Sequence, residues 1–221
     1  GSRRFLSMDR RAGLAENEVT AIAELPDGRF ILGHNAGLTF LDRRGARIEK
    51  AFPVRALSEG PKGGVPRLLD FAVDRSGTVW AAASIALLEI GRDQRVTIHP
   101  FPERPASVER DGRGRLFVLA ARALYVQRAG RFEVVPFTSI GSPPSGGRWL
   151  ATDGGDRLFV ATSSGLLWRT GLNAADLDPA VPWQRAASPD HRGDNVYAVS
   201  TAPGEDVLVG SAGGLYRLDG K

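Results

Sequence analysis

Asn17-Glu-Val-Thr-Ala-Ile-Ala-Glu-Leu-Pro-Asp-Gly-Arg-Phe-Ile-Leu-Gly-His-Asn-Ala-Gly-Leu-Thr-Phe-Leu-Asp42 decides the fold of this chain, because it returns almost position for position near the other end. There it reads Asn195-Val-Tyr-Ala-Val-Ser-Thr-Ala-Pro-Gly-Glu-Asp-Val-Leu-Val-Gly-Ser-Ala-Gly-Gly-Leu-Tyr-Arg-Leu-Asp219. Both stretches run strand, polar turn, apolar strand ending in Gly, short loop ending in Gly-Leu, and a third strand ending in Asp. A unit recurring every 40–50 residues or so is the mark of a propeller or solenoid.

Three further copies lie between them, at 68–90, 106–126 and 148–169. Each carries a Gly-containing turn: Pro26-Asp-Gly, Arg75-Ser-Gly, Gly112-Arg-Gly, Gly154-Gly-Asp and, in the last copy, Pro203-Gly-Glu. These residue types supply the backbone angles a hairpin demands. The second strand is apolar throughout, led by Phe30, Trp80, Phe117, Phe159 or Val207, as expected of strands buried on both faces. Small residues at Gly33, Ala82, Ala120, Ala161 and Gly210 suit strands that crowd near an axis.

After the third strand, four copies add a further β segment: Arg47–Phe52, Arg95–Phe101, Arg131–Phe137 and Val181–Ala187. Four strands per unit is the make-up of a propeller blade. The last copy lacks this segment, and Arg4-Phe5-Leu6-Ser7-Met8 supplies a matching stretch at the other end. The expectation is an all-β, five-bladed β-propeller of four-stranded blades, closed by the strand at 4–8 pairing with the C-terminal blade. Closure would remove exposed sheet edges. Gly1-Ser2 reads as a cloning scar and 3–221 as one domain, with blades near 16–53, 66–102, 105–138, 147–187 and 194–220. An array cut from a seven- or eight-bladed ring is the runner-up. The only helical signal is a turn near Asn173–Leu177.

Composition bounds function loosely. The chain has 221 residues, 42% of them hydrophobic, so a substantial core is available. It has no cysteine, which excludes disulfides, a thiol nucleophile and cysteine-based metal sites. No apolar run approaches the ~20 residues of a membrane-spanning helix. The formal charge of +4 comes from scattered arginines, with lysine only at Lys50, Lys62 and Lys221. Arginines spread over many turns do not make a nucleic-acid footprint.

The unit resembles the two-component regulator propeller repeat. The resemblance rests on Gly13-Leu14, Asn17, Val19, Ile22, Gly28, Gly33, Gly37-Leu38, Phe40 and Asp42 in the first copy. In the second it rests on Asp74, Gly77, Val79 and Trp80; in the fourth, on Thr162 and Gly165-Leu166. The fifth adds Asn195, Val196, Gly210, Gly214-Leu215, Tyr216 and Asp219. It implies a bacterial, extracytoplasmic, ligand-sensing signalling module, periplasmic or extracellular in location. The matched positions are turn glycines and core residues, so they specify scaffold and not ligand.

In a propeller, ligand sites gather at the channel mouth, where the blade-to-blade loops meet the loops between second and third strands. Candidates there are His34, Asn35, Arg67, Arg122, Arg148, Ser163, His191, Arg192 and Ser211. Arg67, Arg122 and Arg148 would form an electropositive funnel for a carboxylate, sulfate or phosphate group. Asn17 and Asn195 precede first strands and read as turn-stabilising Asx residues. Three scattered histidines make no metal site, and Asp70 and Glu109 are the only acids placed to line the channel. The expectation is therefore a monomeric, non-catalytic module without cofactor that binds a small anionic or saccharide ligand. A protein–protein interaction scaffold and a propeller hydrolase or lyase are the alternatives.

Overall fold

The computed structural model describes residues 7–35, 37–54, 67–138, 140, 146–174, 177–186, 195–201 and 206–218. They form nineteen strands in five antiparallel sheets, each a simple up-and-down meander. Sheet 1 comprises β1 (Ala21–Glu24), β2 (Phe30–Gly33), β3 (Gly37–Leu41) and β4 (Ile48–Pro53). Sheet 2 comprises β5 (Leu68–Val73), β6 (Val79–Ala83), β7 (Ala86–Ile90) and β8 (Val96–His99). Sheet 3 comprises β9 (Pro105–Arg110), β10 (Leu116–Ala120), β11 (Leu124–Arg128) and β12 (Arg131–Val135). Sheet 4 comprises β13 (Gly147–Thr152), β14 (Leu158–Thr162), β15 (Gly165–Arg169) and β16 (Gln184–Arg185). Sheet 5 comprises β17 (Val196–Ser200), β18 (Val207–Ser211) and β19 (Gly214–Leu218). No helix among the described residues is long and apolar enough to cross a membrane. The chain divides into two compact units, 1–102 with sheets 1 and 2, and 103–221 with sheets 3, 4 and 5.

Proline trims the outer strands. β8 stops at His99 before Pro100, and β12 stops at Val135 before Pro136. β16 keeps only two residues of the seven-residue stretch read from the sequence, because Pro179 and Pro182 have no N–H for the ladder. Trp183 compensates by burying its ring and donating Nε1–H to the carbonyl of Pro136 at 3.0 Å.

The hairpins between first and second strands share one device. Asp74, Asp111 and Asp153 occupy the same position, and each carboxylate accepts the backbone N–H four residues on, from Thr78, Arg115 and Arg157 at 2.9, 2.9 and 3.1 Å. The chain then turns through a glycine with positive φ, +88° at Gly77 and +80° at Gly114, a region where side-chain-bearing residues are strained. In the second unit the device is extended. Arg115 Nε donates to Asp111 at 2.6 Å and Arg157 Nε to Asp153 at 2.7 Å. Each guanidinium lies over the Phe two residues on, Phe117 or Phe159.

Within each unit successive sheets stack face to face, with first strands side by side: β1 by β5, β9 by β13, β13 by β17. Sheet 1 turns Ile31, Leu38 and Phe40 onto Leu68, Val79, Ala81, Leu88 and Ile90 of sheet 2. Sheet 3 turns Phe117, Leu119 and Leu124 onto Leu150, Leu158, Val160 and Leu167 of sheet 4. Sheet 4 turns Phe159, Ala161 and Leu166 onto Val196, Val199, Val207 and Val209 of sheet 5.

Side-chain size is matched across these seams. A Cβ on Gly33 would stand 2.9 Å from both Leu68 and Phe71. At the corresponding seam of the second unit the sizes are exchanged. The strand pairing makes Leu119, and not Ala120, the counterpart of Gly33, and Leu119 presses on Gly147, whose added Cβ would lie 2.9 Å from it. Ala161 against Val196 is the intermediate case. Close-packed interiors tolerate such exchanges when summed volume is kept.

The stretch before β1 departs from the sequence reading. Arg10–Ala12 form a 3-10 turn capped by the Asp9 carboxylate, which accepts the Ala12 N–H. Of the anticipated closing strand, residues 4–6 lie outside the described residues, while Ser7 and Met8 belong to no strand. Met8 instead packs with Leu14 over Leu32 and Leu41 on the free face of sheet 1. An apolar slot on that sheet accepts the thioether directly. The turn anticipated near Asn173–Leu177 includes residues 175–176, outside the described residues; Leu172 and Asn173 do form a turn.

Candidate functional site

In the first unit, the loop after β2 and the segments before β1 and β5 bring together residues far apart in sequence. The Asn35 amide donates to Glu16 Oε2 at 3.1 Å and to Glu18 Oε2 at 3.3 Å. Glu18 Oε1 accepts from Arg67 Nη2 at 2.6 Å. This pair is open to solvent, with side chains 53% and 49% exposed. Arg67 is held from behind, since its backbone N–H donates to the buried Ser84 hydroxyl at 3.0 Å and its carbonyl accepts from Ser84 N–H. Two carboxylates, an amide and a guanidinium thus form one solvent-facing cluster.

His34, one residue from Asn35, stands apart from it. The ring is fully buried. Nδ1 lies 2.7 Å from the Glu18 carbonyl, which can only accept, so Nδ1 carries the proton. Nε2 accepts from the Thr39 hydroxyl at 2.9 Å, and that oxygen in turn accepts the Ala15 N–H at 3.1 Å. Both ring nitrogens are engaged in fastening the segment at 15–18 to sheet 1, which leaves none for a ligand. We expect His34→Ala to lower stability by about 2 kcal/mol, by removing partners of the Glu18 carbonyl and Thr39 hydroxyl. Thermal unfolding checks this; an unchanged melting temperature would show the chain of bonds to be dispensable.

Asn17 serves a turn as expected, its side-chain oxygen accepting the Arg10 N–H at 2.8 Å. Asn195 differs. Its amide donates to the Tyr197 hydroxyl at 3.2 Å, and its Oδ1 is buried without a hydrogen-bond partner.

In the second unit, Arg148 lays its guanidinium over Tyr197, 4.9 Å from the ring centroid. Arg148, Tyr197 and Asn195 are thereby linked. Ser211 adjoins them on β18, its hydroxyl accepting the Gly213 N–H. Arg122 sits on the exposed turn after β10. Its backbone N–H donates to Glu103 Oε2 at 3.2 Å, while the Tyr125 hydroxyl donates to Glu103 Oε1 at 3.1 Å. Burial, and then the adjoining carboxylate, push the Tyr125 phenol above its ordinary range. Ser163 N–H donates to the Gly146 carbonyl in the turn after β14. His191 and Arg192 lie outside the described residues.

The arginines expected to form a funnel have distinct surroundings: Arg67 is paired with an acid, Arg148 is stacked on an aromatic ring, and Arg122 sits beside Glu103. The two acids singled out for catalysis are both engaged. Asp70 is buried and accepts the Phe71 N–H at 2.8 Å, and Glu109 accepts from the Thr152 hydroxyl at 3.3 Å.

Sequence reasoning missed Glu16, Glu18 and Tyr197. The glutamates flank Asn17, and that adjacency was the available signal. It also missed Arg169, which takes the β15 position held by Leu41 and Ile90 in sheets 1 and 2 and is fully buried. Burial lowers its pKa. Nη2 donates to the Asp178 carbonyl at 2.7 Å, the guanidinium lies over Trp183, and Nη1 has no hydrogen-bond partner.

In sequence, no family profile and no curated protein matches the chain. In structure, it is similar to the extracellular domain of a hybrid two-component system of B. thetaiotaomicron, at TM-score 0.68 and 17% identity, covering 94% of this chain and 27% of that one. It is also similar to virginiamycin B lyase from Staphylococcus aureus, at TM-score 0.67 and 10% identity, covering 89% of this chain and 64% of the lyase. A gluconolactonase from Xanthomonas campestris follows at TM-score 0.60 and 13% identity, covering 89% and 70%. The chain thus spans about a quarter of the Bacteroides domain. At these identities the likeness is one of fold, shared by sensor domains and enzymes alike.

Proposed function

We propose that the five sheets are blades of a β-propeller and that the chain is a non-catalytic, extracytoplasmic sensor-type module for a saccharide. The observation that carries this reading is the Glu16–Asn35–Glu18–Arg67 cluster. Sugar hydroxyls donate and accept in fixed directions, and planar carboxylates, amides and guanidinia, held by one another, are suited to them. The Glu18–Arg67 pair favours a neutral polyhydroxylated ligand over an anion. With two carboxylates against one guanidinium, the cluster repels a carboxylate or phosphate group. The similarity to an extracellular sensor domain supports export and ligand sensing.

A non-catalytic reading draws support from how the acids are used. The carboxylates of Asp27, Asp42, Asp74, Asp111, Asp153 and Asp156 each accept backbone N–H groups of turns and loops. Their oxygens are committed to backbone geometry, which is the opposite of a carboxylate poised for proton transfer.

The test is a thermal-shift and calorimetric screen of mono- and oligosaccharides beside dicarboxylates and phosphate esters. We expect a saccharide to bind and Asn35→Ala or Glu18→Ala to weaken it at least tenfold. Stabilisation by anions alone, or saccharide binding that both variants retain, would overturn the assignment.

A further inference from the structure

One repeat position breaks the pattern of burial that the others keep. Leu38, Leu87, Leu124 and Leu166 are equivalent by strand pairing, each lying opposite the same second-strand position, and all are buried. Their counterpart on β19, Leu215, pairs with Gly210 and is 73% exposed. Beside it, Leu208 on β18 is 41% exposed, whereas Ile31, Trp80, Phe117 and Phe159 at its position are buried. Gly210, the equivalent of Gly33, meets only the Ala198 carbonyl at 3.9 Å where Gly33 meets Leu68 and Phe71 at 2.9 Å. One face of sheet 5 therefore carries the residues of a sheet-to-sheet seam with no sheet upon it.

We infer that this face is a docking surface for a second copy of the chain, joined sheet 5 to sheet 5 about a two-fold axis. The seams inside the molecule show what such a face needs: a large aliphatic side chain seated over a small residue, as Leu68 sits on Gly33 and Leu119 on Gly147. The exposed face carries both halves. Leu215 is the ridge, and Gly210, its partner across β18 and β19, is the hollow. A surface holding ridge and hollow side by side is self-complementary under two-fold rotation, with each Leu215 over the other copy's Gly210, and such a contact closes at the dimer. Exposed aliphatic side chains of this kind mark interaction sites. The free face of sheet 1 is the other candidate to receive a copy's sheet 5. Its slot over Leu32 and Leu41 is already filled by Met8 and Leu14. The occupant that remains is another sheet 5.

Sedimentation equilibrium from 1 to 200 μM tests this. We expect a reversible monomer–dimer equilibrium for the chain. Leu215→Glu and Leu208→Glu should each weaken it at least tenfold with unchanged circular dichroism, and Ile22→Glu on sheet 1 should leave it intact. Four results would overturn the inference: a monomer at every concentration, a dimer indifferent to both sheet 5 variants, loss of the dimer with Ile22→Glu, or assembly beyond the dimer. Should both sheet 5 variants misfold, a Leu215→Cys chain decides instead, with thiol labelling expected to slow as concentration rises. Labelling that is equally slow at 1 μM means the residue is covered within its own chain, which also overturns it. These readouts are independent of saccharide binding, so the two assignments stand or fall separately.

Discussion

Asp111→Ala is expected to cost about 3 kcal/mol of folding stability, the scale for removing one partner of a buried ion pair. The Asp111 side chain is 2% exposed and that of Arg115 13% exposed. The carboxylate accepts the backbone N–H of Arg113 and of Arg115 as well as Arg115 Nε. Arg115 then reaches on to the carbonyls of Leu172 and Ala174, so the hairpin between β9 and β10 fastens the loop after β15. Removing the carboxylate strands two turn N–H groups and a buried guanidinium together. Asp111→Asn should cost about half as much, because its amide oxygen still accepts from the turn while the ion pair is lost. Urea unfolding measures both. Equal losses would show that charge contributes nothing, and a negligible loss in Asp111→Ala would remove the device from the list of stabilising features.

The same turns set the response to acid. Burial opposes ionisation of Asp153, but hydrogen bonds from the Arg157 guanidinium and from the N–H groups of Arg157 and Gly155 outweigh it, and the carboxyl sits below its ordinary range. The backbone N–H of Arg29 does likewise for Asp27, and that of Ala46 for Asp42. A carboxyl depressed in the folded state stabilises fully above its unfolded value, about 4, and that contribution is lost as pH falls through the folded value. Acid unfolding is therefore expected below about pH 4, with Asp153→Asn flattening the decline.

The second large effect is expected at the seam between sheets 1 and 2. Gly33→Leu places a side chain where even a Cβ meets Leu68 and Phe71 at 2.9 Å, and should cost about 3 kcal/mol by overpacking. Leu68→Gly should cost a similar amount through the cavity it leaves. Combined, the two recreate the arrangement already present as Leu119 over Gly147, and the double variant should recover about 2 kcal/mol relative to the sum of the single losses. Simple additivity in denaturant unfolding would show that size matching across the seam is not what stabilises it.

The repeat was legible in the chain because strand alternation and turn chemistry act over a few residues. Gly28, Gly77 and Gly114 announce tight turns wherever they stand, and the apolar second strands announce burial on both faces. Strand ends were less legible where proline and the ladder compete, as at β16. The site was legible only in part. Asn35 and Arg67 were singled out, but their meeting with Glu16 and Glu18 depends on segments some thirty to fifty residues apart coming to one end of two sheets. His34 looked like a ligand group because a polar ring in a short loop gives no sign of the carbonyl and hydroxyl that enclose it.

By itself, then, the order of residues determined the sheets, their meander and their hairpins, since each rests on hydrogen bonds between near neighbours in the chain. Tertiary structure alone decided which face of each sheet is covered, which arginines are matched by acids, and that Leu215 stands in solvent where four equivalent leucines are buried. Those outcomes depend on what lies across a seam, and identical repeat residues acquire different surroundings according to whether another sheet packs against them.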